Sequence, residues 1–426
     1  MGMRYTTILR LEFMIDRPWA IGAFTAFGAD DLGKDDSVQQ PIQRRPDGAV
    51  HLPAASLVGS LRAHLGTCAA RWLGSEKADS QPQGGRTSPS PLRAAGAQLL
   101  TVGSPEVSTH VRIDASRRAA AAGQLTTREY VPENTRVRWW LFWDREHIAR
   151  RDLDDLLAAI EDWQPIVGRH RVADQGRARL SGIHHATIDR HDPVDLTWWL
   201  QQRGDTIANP ASAPPPGGWL THTVPQLAPE EPLLECEFEV VDPLHLGTGE
   251  VVSSDGYNNT LGSSRTLSAT SWRGIFRHRV RHILEVTGAD ATPVVEKLFG
   301  AGREKGASED AGFRGSLRFA ASPVHGVPPE LPCLTQVGID RISGGTVMNS
   351  KERPADSHGS LFRAQYLPPG ATLVLRIYGD ASPGELDLLE AVVRDIDDQI
   401  VGVGGMTTRG YGSLKLTKQS LKGGAR

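Results

Sequence analysis

The chain has 426 residues, and at roughly 100–200 residues per domain this is enough for two or three domains. A formal charge of −3, from 47 Lys and Arg against 50 Asp and Glu, excludes a globally basic nucleic-acid binder but leaves room for a local basic groove. No run approaches the ~20 apolar residues of a membrane span. Residues 1–15 lack the charged, apolar, small order of a signal peptide. Three scattered cysteines, Cys68, Cys236 and Cys333, argue against a disulfide framework or a Cys-rich zinc site, so a reducing cytoplasm is the expected location and all three are expected in the core.

In chain order, Leu9–Ile15 reads as a strand. Leu57, Leu61 and Leu65 then recur at i, i+4, i+8, the inner face of a helix. The glycine-, serine- and charge-rich stretch Ser75–Ala97 reads as an exposed loop. Arg136–Trp143 alternates like a strand. A second helix carries Leu153, Leu156, Leu157 and Ile160, and a last strand follows a glycine-containing turn. Thr206–Pro232, with Pro210, Pro214, Pro215 and Pro216, reads as a semi-stiff linker. The series then recurs. Leu234–Val240 is a strand, and Trp272, Phe276 and Val280 mark a helix. Ala301–Gly315 is a loop and Thr372–Tyr378 a strand. A helix follows, opened by Ser382-Pro383 and faced by Leu386, Leu389 and Val393, and then a final strand. The order βαββαβ predicts an α+β protein of two tandem ferredoxin-like (RRM-like) domains, 1–205 and 233–426, joined by linker 206–232.

Direct comparison of the halves supports the duplication. Leu11-Glu12-Phe13, Pro18 and Ile21-Gly22 match Cys236-Glu237-Phe238, Pro243 and Leu246-Gly247. Residues 51–62 match 266–277. Ile113-Asp114 and Glu129-Tyr130-Val131-Pro132 match Ile339-Asp340 and Gln365-Tyr366-Leu367-Pro368. Ile166-Val167-Gly168, with Gly176 and Leu180, is set against Ile400-Val401-Gly402, with Gly410 and Leu414, an offset of 234.

The repeated motifs point to anion binding. Ser56, Gly59 and Arg62 in one copy, and Ser271, Gly274 and Arg277 in the other, stand at a helix start. There, free N–H groups attract anions, a glycine admits a close backbone, and an arginine forks onto a phosphate. Arg273, Arg277 and Arg281 form a basic stripe on the second of these helices. The loop holding Gly402, Gly404, Gly405, Arg409, Gly410 and Gly412 exposes backbone donors that suit a phosphate chain. Its partner in the first copy carries Gly168, Arg169, Arg171 and Arg177. Neither loop is a Walker or dinucleotide fingerprint. Trp139, Trp140 and Trp143 are candidates for base stacking. The histidines, including the i, i+4 pair His278 and His282, lack zinc-ligand spacing.

Leu52-Pro53 through Arg62, Val38–Arg44, Leu298-Phe299-Gly300, Gly315–Phe319 and Leu361–Pro368 together resemble the RAMP superfamily of CRISPR proteins, in particular the backbone subunits of type III effector complexes. The resemblance implies a protein that lines a guide RNA (crRNA) and presents it to a complementary target RNA among other type III subunits, away from membranes. In catalytic relatives an Asp two residues before the Pro41 position supports target cleavage with Mg²⁺ or Mn²⁺. Here that residue is Gln39, which cannot act as a base or bind a metal as a carboxylate does. The candidate acids are therefore Asp35 and Asp36 in the first copy and Asp255 in the second. Two rival readings stand beside this one: a guide-processing endonuclease using metal-free acid–base chemistry, and a catalytically silent RNA-binding assembly subunit.

Overall fold

The computed structural model describes residues 3–22, 40–75, 88–114, 119–147, 150–169, 174–202, 214–254, 257–301, 313–339, 342, 344–345 and 361–421. They form two compact units. One comprises Met1–Val107, Thr126–Arg171 and Gln175–Pro229; the other comprises Ser108–Leu125, Val172–Asp174 and Glu230–Arg426.

The first unit begins with strand β1 (Tyr5–Ile15). Its second half alternates buried Leu9, Leu11, Phe13 and Ile15 with part-exposed Arg10, Glu12 and Met14, the period of a strand with one face on a core. Helix α1 (Ala54–Leu65) and the short α2 (Ala69–Leu73) follow, then strands β2 (Leu92–Ala94) and β3 (Thr135–Arg145), helix α3 (Arg150–Ile160), strand β4 (Ala178–Asp189), helix α4 (Pro193–Gln201) and strand β5 (Leu220–His222). The sheet order is β2-β3-β1-β4-β5, and each neighbouring pair is antiparallel. Leu57 and Leu61 of α1 and Leu156 and Ile160 of α3 bury against Leu9, Leu11, Phe13 and Trp139.

Part of the expected loop Ser75–Ala97 is a sheet strand. Leu92 is buried and pairs with Trp143, and Ala97 is buried as well. The glycine- and serine-rich composition hid this, because so short a strand carries no apolar period. The tryptophans are not free for bases either. Trp139 lies in the helix-side core, while Trp140 packs with Ile8, Phe142 and Ile188 on the opposite face, under Trp198, Trp199 and Trp219. Trp143 packs edge-on against Trp72, with centroids 5.4 Å apart.

The second unit repeats the plan: β6 (Leu234–Val240), β7 (Thr266–Leu267), α5 (Ala269–Val286), α6 (Ala291–Phe299), β8 (Ser322–His325), β9 (Thr372–Gly379), α7 (Pro383–Asp397) and β10 (Leu414–Leu421). Its sheet order is β7-β8-β9-β6-β10. Strand β6 alternates buried Leu234, Cys236, Phe238 and Val240 with Glu235, Glu237 and Glu239. The buried set meets Trp272, Phe276 and Val280 of α5 and Leu389 and Val393 of α7. A second, four-stranded sheet joins Gly247–Ser254, Tyr257–Ser263, Leu361–Gln365 and Cys333–Val337. Of the cysteines only Cys236 is in the core; Cys68 is exposed and Cys333 lies between, since small residues beside a thiol do not by themselves make it buried.

Candidate nucleic-acid interface

The repeated helix starts differ in how they are capped. Helix α5 is capped by Ser268, whose hydroxyl accepts from the Ser271 amide at 3.1 Å and shares a 2.8 Å hydrogen bond with the Ser271 hydroxyl. Helix α1 follows Pro53, which offers no side-chain cap, and Ser56 is half-buried in its first turn. Gly59 and Gly274 agree closely. Both are exposed within a helix, and a Cβ built on either meets no heavy atom within 4 Å. Nothing among the described residues requires a glycine there, although it costs a helix interior about 1 kcal/mol relative to alanine.

The arginines divide by task. Arg62 donates to the carbonyls of Leu73 and Gly74, at 2.7 and 3.0 Å, at the end of α2. Arg273 donates to the Phe299 carbonyl at the end of α6. Each places a cation on the negative end of a short helix, just before a glycine in the left-handed region (Gly74 and Gly300). Burial, with Arg277 alongside, holds the Arg273 guanidinium below its usual range. Arg279 pairs with Asp395 at 2.6 Å. Ser271, Gly274, His278 and His282 are exposed on α5, with Arg277 and Arg281 part-exposed beside them. The stripe read from sequence is therefore led by Arg277, Arg281 and two histidines, while Arg273 is largely occupied with the fold.

The glycine-rich loops are equivalent at the level of single hydrogen bonds. In the first repeat Val167 N–H donates to Gly176, Gly176 N–H to Pro18 and Arg169 N–H to Ala20. In the second, Val403 N–H donates to Gly412, Gly412 N–H to Pro243 and Gly405 N–H to His245. The offset within the loop is thus 236 rather than 234, pairing Gly168 with Gly404 and Gly176 with Gly412. Counting apolar residues and glycines slipped by two because Gly402 and Gly410 imitate the pattern. A Cβ on Gly168 would lie 2.2 Å from the Ala20 carbonyl oxygen, and one on Gly404 2.6 Å from that of His245. Gly176 and Gly412 are tighter still, and all four have positive φ, so the backbone crossing itself demands glycine. In the second loop Thr407–Arg409 form an exposed turn, and Arg409 reaches the Gln336 side chain at 3.4 Å. Arg177 lies beyond Gly176 at the entry to β4, across a bridge from Ile166.

Two residues absent from the sequence reading lie beside these loops, Arg128 in the first unit and His245 in the second. In the first unit the Arg169 guanidinium lies against Gly22: a Cβ there would be 1.2 Å from Nη2. Arg128 is close enough to Arg169 for the charge to depress its pKa, after burial, which is the larger cause. At the corresponding glycine of the second repeat, Gly247, the neighbour is His245, with Nε2 3.2 Å from the built Cβ. His245 is buried and donates from Nδ1 to the Gln365 carbonyl at 2.7 Å. Sequence offered a signal for this: Ala20 and His245 break the match inside an otherwise conserved Pro-x-x-x-Gly pattern.

Asp35, Asp36, Asp255, Gln39 and Arg171 lie outside the described residues. Among the described residues no three His, Cys, Asp or Glu side chains are grouped to hold a metal ion. The fold does extend the repeat register toward Gln39. Ile42 N–H donates to the Glu129 carboxylate at 3.0 Å, and Ser263 N–H donates to the Gln365 amide oxygen at 3.2 Å. Gly22 bridges Ile42 just as Gly247 pairs with Ser263. Counting back three residues sets Thr260 opposite Gln39. Thr260 is fully buried, and its hydroxyl has no hydrogen-bond partner among the described residues. Neither residue is a carboxylate, so this position does not fit a metal-bound acid in either repeat.

A duplicated α+β domain, each copy closing its sheet beside a glycine-rich crossing loop, is the class defined by these features. The sequence model of the RAMP superfamily matches residues 13–173 and 237–415. The chain belongs to the RAMP superfamily and carries the domain twice. Membership points to a CRISPR-associated, RNA-binding function. None of the curated proteins matches it. No helix among the described residues is long and apolar enough to cross a membrane.

Proposed function

We propose that this protein is a backbone subunit of a type III CRISPR effector, working in the cytoplasm, that binds the guide RNA backbone with both repeats and does not cut the target. Both strand orders, read as 4-1-3-2 over the four core strands, support ferredoxin-like RAMP domains. The observation that carries the binding reading is the pair Gly59 and Gly274. Each is exposed, helical and sterically unconstrained by the described residues, yet the position is glycine in both repeats. A glycine kept where alanine fits better suits the close approach of a backbone from outside, and Arg277, one turn on from Gly274 in α5, suits a polyanionic one. The contacts are to phosphates, so binding is salt-sensitive and largely indifferent to sequence.

The test separates fold from function. Gly59→Ala and Gly274→Ala each raise helix propensity by about 1 kcal/mol, a gain of roughly 2–4 °C in melting temperature for units of this size. The same variants, expressed with a matching CRISPR array, retain at least tenfold less guide RNA. Undiminished retention rejects this interface. For the chemistry, complementary RNA is added with Mg²⁺ to the RNA-loaded wild type. Intact target is expected; cleavage lost in Asp36→Asn or Asp255→Asn would restore the metal-dependent reading, and cutting of a precursor guide in EDTA would favour processing.

A further inference from the structure

We propose that Arg128 and Arg169, brought together beside Gly22, form a phosphodiester-binding site that only the first repeat possesses. The inference rests on the RNA-binding reading above and assigns it a chemically distinct subsite.

The placement comes from the backbone. Gln40–Ile42 runs as an extended segment with Arg128 bridged to Gln40 and Gly22 bridged to Ile42. Hydrogen bonds from Gln40 N–H to Thr127 and from Glu129 N–H to Gln40, at 3.0 and 3.1 Å, fix Arg128 between them. Arg169 N–H is fixed to the Ala20 carbonyl at 3.0 Å, and its guanidinium covers the bare Cα of Gly22. The main chain thus fixes both arginines beside this segment, and the Arg169 charge is felt at Arg128.

Among the described residues the charges are not balanced locally. Among the described residues neither guanidinium has a carboxylate partner, and the buried Arg128 Nε makes no hydrogen bond. The nearest acid in sequence, Glu129, is already engaged by Arg44 and by the Ile42 amide. Like charges held together oppose folding, and a bridging oxyanion turns that repulsion into binding free energy. Paired guanidiniums next to a glycine suit the two non-bridging oxygens of a phosphodiester, which Arg engages in a bidentate manner.

The second repeat has no such pair. The equivalents of Arg128 and Arg169 are Ala364 and Gly405, and the neighbour of Gly247 is the His245 ring. The two halves therefore differ at this point: the first carries two cations, the second a buried imidazole and a bare backbone.

The experiment uses the full chain and a fluorescent single-stranded RNA of mixed sequence, titrated over a salt series, with Arg128→Gln, Arg169→Gln, Arg169→Lys and the double Gln variant. Each Gln substitution is expected to weaken binding about five- to tenfold and to lower the slope of log affinity against log salt by about 0.7, the value for one phosphate contact on a single strand. Arg169→Lys keeps the slope and loses part of the affinity. Melting temperature without RNA stays level or rises, because the repulsion is relieved. Unchanged slopes in both Gln variants, with wild type still binding, overturn this site and leave the RNA-binding reading intact. A fall in melting temperature with RNA affinity unchanged also overturns it, assigning the arginines to an internal partner. Failure of the wild type to retain RNA even when a CRISPR array is coexpressed overturns the reading and the site together.

Discussion

Cys236 lies at zero exposure in the second core, and burial, aided by Glu390 and Glu235, pushes its thiol up to about 12. Cys68 is exposed on the turn after α1. At pH 8 iodoacetamide is expected to alkylate Cys68 and spare Cys236 in the native chain; mass spectrometry showing native Cys236 modified would contradict this burial. Arg318 presents the opposite case, a buried charge fully engaged. It pairs with Asp174 and, at 2.6 Å, with Glu230, and lies over the Tyr378 ring at 4.4 Å. Arg318→Met removes the guanidinium that pairs with buried Asp174 and is expected to cost about 3–5 kcal/mol in denaturant melts. Adding Asp174→Asn recovers part of that loss, because asparagine tolerates the φ of +58° at this position. Histidines set an acid limit. Burial is the main cause holding His184 and His185 below the usual imidazole range, so they take up protons less readily folded than unfolded. Their contribution is complete above about pH 6.5 and is lost as pH falls below it. Melting temperature should drop between pH 7.5 and 5.5, and His185→Gln should flatten the drop.

Elements explain why the arginine motif reads two ways. In α1 and α5 the Ser-x-x-Gly-x-x-Arg spacing is the same, but the arginine that caps a following helix is Arg62 in one and Arg273, four residues earlier, in the other. Loss of RNA binding in Arg62→Ala is therefore a poor measure of phosphate contact. Removing two charged hydrogen bonds at the end of α2 should itself cost about 2 kcal/mol, read as a lower unfolding midpoint. Arg277→Ala is expected to weaken RNA binding, and its melting temperature beside that of wild type separates a lost RNA contact from a lost internal one. Helix α4, absent from the sequence reading, shows what an extra element does here. Asp192 caps it, accepting from Val194 and Asp195, and its Trp198 and Trp199 close the sheet face that carries Trp140. Among the described residues, the aromatic side chains of that sheet face are consequently covered.

Across the whole molecule a net charge of −3 means that long-range attraction to RNA is weak and that grip depends on local clusters. Each repeat builds its own core, and each brings an exposed helix glycine and a crossing loop beside its sheet. The duplication, the alternation of β and α elements and the inner faces of the main helices were legible from residue order, because apolar periodicity and repeat matching depend only on neighbours in sequence. The strand Leu92–Ala94 was not: three residues in a glycine- and serine-rich stretch carry no period, and only pairing to β3 makes them a strand. The loop offset of 236 was settled by hydrogen bonds to Pro18 and Pro243, residues more than 150 positions away. Arg62 and Arg273 looked like phosphate ligands until the carbonyl ends of α2 and α6 were found beneath them. Arg128 and Arg169 lie 41 positions apart and carry no shared motif. Sequence by itself determined that one domain was written twice and which residue types line it. The tertiary structure alone decided which cations hold the fold and which face each other, because charge pairing is set by distance in space, and that distance is fixed only when the backbone closes.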